Sequence, residues 1–205
     1  MGSSLASEVL SLSLEHLQLV AIAMLLAAAL AIPAAIQLTR FAAWRRWVVG
    51  FANIMQTVPS LALFGFLIPV PLIGGIGKRT AIVALVLYAL LPILRNTLVG
   101  ILGVDRAVRE SAVAMGMTPS QILWQVELPL AAPTILAGVR VATVATIGTA
   151  TIAAAIGGGG LGVFIFRGIA SVDNTQILAG AIPAACMAIA ADEALGWIEG
   201  KFSHS

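Results

Sequence analysis

Side chains able to do chemistry are few in this 205-residue chain, and their spacing argues against catalysis. There are two histidines, His16 and His204, and one cysteine, Cys186. No Ser-His-Asp set, no paired carboxylates and no His-Glu-x-x-His helix occurs, so acid–base, nucleophilic and zinc chemistry all lack their groups. A single cysteine also excludes an intramolecular disulfide, and Cys186 is expected to be a small buried hydrophobe. Gly157-Gly158-Gly159-Gly160-Leu161-Gly162 suggests a phosphate loop, but no Gly-Lys-Ser/Thr follows and no strand precedes it. Two kinds of polar feature remain: isolated polar residues inside long apolar runs, and one charged insert between such runs.

Composition says what must position them. The chain is 60% hydrophobic and 10% charged, with a mean hydropathy of +1.05, too apolar for a water-facing globule. The expected class is an all-α integral membrane protein read as one domain, 1–205. A net charge of +2 gives no field for nucleic acid. Five spans are expected at about 17–38, 48–72, 80–102, 132–156 and 174–191, the last closed by Asp192 and Glu193. The residues before the first span carry two acids, Glu8 and Glu15, and no Lys or Arg, so a cleaved leader is not expected. Glu8, Glu15 and His16 are expected to be solvated or interfacial.

The second span contains Pro59, with Pro69 and Pro71 beyond it, and should break or kink. Gln56, Thr57 and Ser60 flank Pro59, where unpaired polar groups are costly in lipid. They either line a translocation path or repair the broken helix ladder locally. Arg95 and Asn96 in the third span are a pore-side pair, or a snorkelling cation with a helix-end amide. Arg140, in the fourth, is expected to snorkel or to serve structurally. Small residues such as Ala142, Thr146 and 149–153 should let helices approach closely, and Asp173 should cap the fifth span.

Lys and Arg in short loops set the orientation. With the N-terminus outside, Arg40, Arg45, Arg46, Arg106, Arg109 and Lys201 fall inside, against Lys78, Arg79 and Arg167 outside. Arg95 and Arg140 reach the inner interface and add to the bias. The expected arrangement is N-out, C-in.

Between the third and fourth spans, about 104–127 forms a polar insert that reads as two short helices. Asp105 should cap the first, which runs to about Met115 and ends at Gly116. Thr118-Pro119-Ser120-Gln121 fits a capping box with proline at the first helical position. Leu128-Pro129 and Pro133 are expected to stop the second helix. Ala107, Ser111 and Ala114 would form a small-residue face that a partner could approach.

Glu110-Ser111-Ala112-Val113-Ala114-Met115-Gly116, closed by Leu128-Pro129, resembles the EAA loop of ATP-binding-cassette importer permeases. Ser111 stands where that family usually has alanine. The likeness extends to Met55-Gln56-Thr57-Val58-Pro59-Ser60-Leu61-Ala62-Leu63, Leu90-Leu91-Pro92-Ile93-Leu94-Arg95-Asn96-Thr97 and Ile147-Gly148-Thr149-Ala150-Thr151-Ile152-Ala153, which resemble the glycine betaine/carnitine/choline branch.

The resemblance implies a five-span core of the methionine-importer-like type, with the insert as a cytoplasmic coupling loop. Glu110, Ser111, Ala112, Met115, Gly116, Thr118, Pro119 and Gln121 would couple to an ATP-binding cassette ATPase. ATP and Mg would sit on that partner, and no cofactor on this chain. Further implied partners are a second permease copy or paralogue, an extracytoplasmic solute-binding protein and the lipid bilayer. The implied location is the bacterial cytoplasmic (inner) membrane, and the implied cargo a quaternary-ammonium osmoprotectant. Gln56, Thr57, Pro59, Ser60, Arg95 and Asn96 are candidates for the path. Gly158 and Gly159 belong either to an external gate or to a flexible loop. The other functional classes are a partner-free channel or secondary transporter, which should carry an acid deep in a span, and a structural membrane subunit.

Overall fold

A computed structural model describes residues 5–203; His204 lies outside them. Within that range the chain is helical, and no strand occurs among the described residues. Helix α1 (Leu5–Arg40) is followed by the pair α2 (Ala42–Thr57) and α3 (Ser60–Leu67), then α4 (Lys78–Leu102). The insert forms α5 (Arg106–Ala114) and α6 (Pro119–Ile122), and α7 (Leu128–Ala150), α8 (Gly162–Ser171) and α9 (Asn174–Ser203) complete the chain. Four helical stretches are long and apolar enough to cross a membrane, or five if the α2–α3 pair, bent by 104°, is one span.

Helix α4 is the centre of the bundle, with α1 and α7 packed along it. On α1 the buried residues Ala23, Ala27, Ala31 and Ala35 recur every fourth position, so one narrow alanine ridge faces the core. Ala81, Ala84, Leu85 and Ala89 of α4 are buried in the same cluster. Small side chains on both helices let the backbones approach closely, and dispersion between them replaces the hydrophobic drive that lipid does not supply. The small-residue face of the fourth span behaves as expected: Ala142, Thr146, Ala150 and Ala153 are all buried.

Glycine sets the contact between α4 and α7. A Cβ on Gly138 would lie 2.5 Å from Asn96 Cβ and 3.0 Å from the Pro92 carbonyl. Proline within α4 removes one backbone donor, so α7 approaches at the point where the α4 ladder is already interrupted.

Several expectations are corrected. Helix α1 begins at Leu5, well before the span expected from about residue 17, and Glu8, Glu15 and His16, expected to be solvated or interfacial, all find partners within the protein. His16, expected at the interface, is fully buried, and its Nε2 lies 3.1 Å from the Ile147 carbonyl. Asp192 and Glu193 do not end the last helix: α9 runs without interruption to Ser203. Cys186 is exposed, because α9 packs on α7 and α8 along one side only.

Leu128-Pro129 does not stop the second insert helix. The chain passes from α6 through one π-helical turn, Leu123–Glu127, directly into α7. The wider turn leaves room for Pro129 at the start of α7, where its missing N–H costs least. Helix α8 was not anticipated, because its ten residues are too short for a span.

Gly138→Ala should destabilise the bundle by about 1–3 kcal/mol, the usual cost of overpacking a close contact. A lower midpoint of thermal unfolding in detergent is the expected reading, with Gly148→Ala, which meets nothing within 4 Å, as the neutral control.

Candidate functional site

The polar insert folds into a compact peg whose ends are chemically closed. At the start of α5, the Asp105 carboxylate accepts from the Ala107 N–H at 2.8 Å. At its end, the Gly116 N–H donates to Val113 and the Met117 N–H to Ala112, at 2.9 and 3.2 Å. This double closure needs a left-handed residue, and Gly116 supplies it at φ +79°. Thr118 and Gln121 form the reciprocal capping box: the Thr118 N–H donates to Gln121 Oε1 at 2.8 Å, and the Gln121 N–H to Thr118 Oγ1 at 3.4 Å. Pro119 occupies the first turn, where its missing donor is harmless.

Between these closures the peg presents a mixed surface. Ala107, Glu110, Ser111, Val113, Ala114 and Met115 are exposed, whereas Ala112 is buried against the body. Glu110 pairs with Arg106 one turn away at 2.7 Å, but both side chains face solvent, where such a pair contributes a few tenths of a kcal/mol (~0.3–0.5). Ser111, the departure from alanine, turns its hydroxyl back on the Ala107 carbonyl at 2.8 Å and keeps the face small.

A tether that sequence reasoning missed fixes the peg to two spans. The Arg109 guanidinium donates to the Ile101 carbonyl at the end of α4, and its Nε pairs with the Glu127 carboxylate at 2.7 Å. Glu127 closes the π turn that leads into α7. One side chain of α5 is thereby hydrogen-bonded to the end of one span and ion-paired with the residue that leads into the next.

The broken second span forms a separate polar region. Thr57 Oγ1 donates to the Ile54 carbonyl at 2.7 Å, which is local repair of the ladder. Tyr88 of α4, the single tyrosine, donates its hydroxyl to the Val58 carbonyl at the bend. Gln56 reaches across to the Tyr88 carbonyl at 3.2 Å. A tyrosine inside an apolar span needs a partner for its hydroxyl, and that requirement is the signal that could have found it. Gln56, Arg95 and Asn96 line one recess of about 370 Å³, and Asn96 donates to the Pro92 carbonyl at 2.9 Å. Ser60 starts α3 beyond Pro59, and neither residue lines that recess.

The glycine turn lies at the opposite end of the bundle from the peg. Gly158 donates to the Ala153 carbonyl at 2.9 Å, and Gly157, Gly159 and Gly160 take φ values of +74°, +82° and +74°. Glu15 of α1 accepts from the Gly160 N–H at 2.9 Å and pairs with Lys78, the first residue of α4, at 2.5 Å. The turn is therefore stapled to α1 and α4. Nearby, Asp173 accepts from the Gln176 side chain and the Thr175 N–H at 3.0 and 2.9 Å, and the Gln176 hydrogen bond holds its carboxyl below the usual range.

Arg140 takes the structural role of the two expected for it. It forms a two-pronged pair with Asp192 of α9, at 2.6 and 2.7 Å, and reaches Glu199 at 3.4 Å. An acid thus does lie within the last long helix, but it is engaged by this pair. Among the described residues no group of three or more His, Cys, Asp or Glu could hold a metal ion.

Long apolar helices around a central span, with a short polar peg between two of them, define a helical membrane protein. Residues 20–200 match the model of the binding-protein-dependent transport system inner membrane component, and the chain belongs to that family. It is 45% identical over 196 residues to the choline transport system permease protein OpuBB of Bacillus subtilis, covering 96% of this chain and 89% of that one. To the carnitine transport permease protein OpuCD of Listeria monocytogenes it is 47% identical, covering 90% and 82%. The fold matches the MetNI methionine ABC transporter in an inward-facing conformation with a TM-score of 0.80 at 25% identity, over 97% of this chain and 99% of that one. The chain is a multi-pass permease of an ATP-binding-cassette importer, a non-catalytic membrane component that works with an ATPase and a solute-binding protein.

Gly116→Ala places a side chain in a left-handed conformation with nothing within 4 Å to clash with, so backbone strain of about 1–2 kcal/mol is the whole expected cost. Faster hydrogen exchange of the Gly116 and Met117 amides, with the span amides unchanged, is the expected result.

Proposed function

We propose that this permease carries a quaternary-ammonium osmoprotectant of the glycine betaine, choline or carnitine class by alternating access. The peg of α5 and α6 seats in a groove on the partner ATPase, with Glu110, Ser111, Ala112, Met115, Gly116, Thr118, Pro119 and Gln121 forming or shaping its contact. ATP and Mg bind on that partner. A second permease, identical or paralogous, completes the pathway, and an extracytoplasmic protein delivers the solute.

The observation that carries the coupling role is the Arg109 tether to Ile101 and Glu127. A peg bonded to the ends of α4 and α7 passes rigid-body motion to both spans, whereas a loose loop would absorb it. The relatives named for choline and carnitine transport support the cargo class.

In the N-out, C-in arrangement the peg and Arg40, Arg45 and Arg46 face the cytoplasm, as the excess of basic residues in inner loops requires. Gln56, Arg95 and Asn96 line the path beside the break at Pro59, and the turn containing Gly158 and Gly159 forms the outer gate.

The test is ATP-driven uptake of labelled glycine betaine, carnitine and choline into proteoliposomes that hold the assembled transporter and its binding protein. Saturable uptake of at least one of the three is expected. Gly116→Ala should lower uptake per ATP hydrolysed while assembly persists. Absence of uptake for all three solutes would sink the cargo assignment, and unaltered coupling in Gly116→Ala would sink the peg assignment.

A further inference from the structure

At the end of the bundle away from the peg, residues 5–16 of α1 reach several other elements through their side chains. The Glu15 carboxylate accepts from the Gly160 N–H at 2.9 Å and pairs with the Lys78 ammonium at 2.5 Å. Glu8 pairs with Arg167 of α8 at 2.9 Å, and His16 Nε2 lies 3.1 Å from the Ile147 carbonyl of α7.

These ties differ in what they join. Helices α1 and α4 pack along each other, so Glu15 and Lys78 form one fixed edge. Gly77, just before α4, donates to the Ile156 carbonyl at 2.8 Å and fastens the entry of the glycine turn to that edge. Past the turn, α8 packs mainly on α9. Gly157, Gly159 and Gly160, all at positive φ, form a hinge between the two packed groups. The Gly160 N–H sits at the far end of this hinge, and Glu15 reaches across from α1 to hold it. A Cβ on Gly159 would lie 2.5 Å from Glu15 Oε2, so the carboxylate rests directly on the hinge backbone. The other tie across the hinge, Glu8 to Arg167, has side chains 34% and 49% exposed and contributes less.

We propose that Glu15 is the latch of the outer gate. Lys78 anchors its carboxylate on the fixed edge, and the hydrogen bond to the Gly160 N–H holds the turn shut. Opening swings the far end of the turn away from α1 and breaks that bond, while the pair with Lys78 keeps the carboxylate in place for reclosure. The proposal rests on the reading of this turn as the outer gate, and it adds the residue that keeps the gate closed. Because coupling between sites is reciprocal, whatever eases opening also raises the apparent affinity for ATP of the state that opens.

The test is hydrogen exchange of segment 157–162 in the assembled transporter, without nucleotide and with ATP plus vanadate, beside the dependence of ATP hydrolysis on ATP concentration. In the wild type the segment should be protected without nucleotide and exchange faster with ATP and vanadate. Glu15→Ala should speed exchange without nucleotide roughly tenfold, the loss of one charge-assisted hydrogen bond, and lower the ATP concentration for half-maximal hydrolysis severalfold. Glu15→Gln keeps an acceptor for Gly160 but loses the pair with Lys78, and should fall between the two. Should Glu15→Ala fail to assemble, Lys78→Met, at a side chain 55% exposed, carries the measurement in the same direction.

Faster exchange in Glu15→Ala with an unchanged ATP dependence would make the bond a static staple and overturn the latch. A wild-type segment that responds to nucleotide but is indifferent to Glu15 overturns the latch alone and leaves the gate standing. A wild-type segment whose exchange is the same with and without ATP overturns the gate reading, and the latch with it.

Discussion

In lipid there is no water to take up a backbone N–H or carbonyl that the fold leaves over, so every interruption of a helix must be closed by another part of the chain. Two breaks in this permease have a partner supplied from a distance. At the bend between α2 and α3 the Val58 carbonyl accepts from Tyr88. At the glycine turn the Gly160 N–H is taken by Glu15, 145 positions earlier. Between the two, His16 contacts the Ile147 carbonyl near the end of α7. These long-range bonds add to the packing that positions α1, α4 and α7.

The same constraint explains the use of charge. Arg140, Asp192 and Glu199 lie on two helices that pack side by side, and Gly196 leaves room for the guanidinium, since a Cβ there would lie 2.8 Å from Arg140 Nη1. Isolated, either sign would be costly in this setting; paired, they attach α9 to α7. Most of the surface of α9 is exposed, and Ala184 is its one buried hydrophobe among the described residues. The polar cluster therefore adds to the one-sided packing of α9 on α7, through Met187, Ala188 and Ala191, and on α8, where Gly180 allows contact with the Leu161 carbonyl.

How much of this was legible in the sequence follows from the range of each interaction. The Asp105 cap, the Gly116 closure and the Thr118–Gln121 box join residues at most five positions apart, and types and spacing alone identify them. The apolar runs and the break at Pro59 are likewise local. His16, Glu15, Tyr88 and Arg140 could not be placed, because their partners are supplied by the packing of distant helices. A charged or polar residue in or beside a span signals that a partner exists but not which one. The π turn escaped for another reason: Leu128-Pro129 reads as a stop in a regular α-helix, and only a wider turn lets the helix pass through it.

Local and long-range closures together bear on how motion at the peg could reach the far side of the membrane. On the coupling reading, a displacement of α5 pulls on Ile101 and Glu127 together, so α4 and α7 move as a pair and not past each other. Gly138, set against Pro92 and Asn96, leaves no slack between them. At the far end that pair carries Lys78 and Ile147, and both contact α1 through Glu15 and His16. The glycine turn, at the end away from the peg, is held by side-chain bonds to α1 yet built from residues whose backbone can change without steric cost. Rigid helices joined to a permissive turn concentrate conformational change at that turn, which is the division of labour that alternating access from one end of a bundle requires.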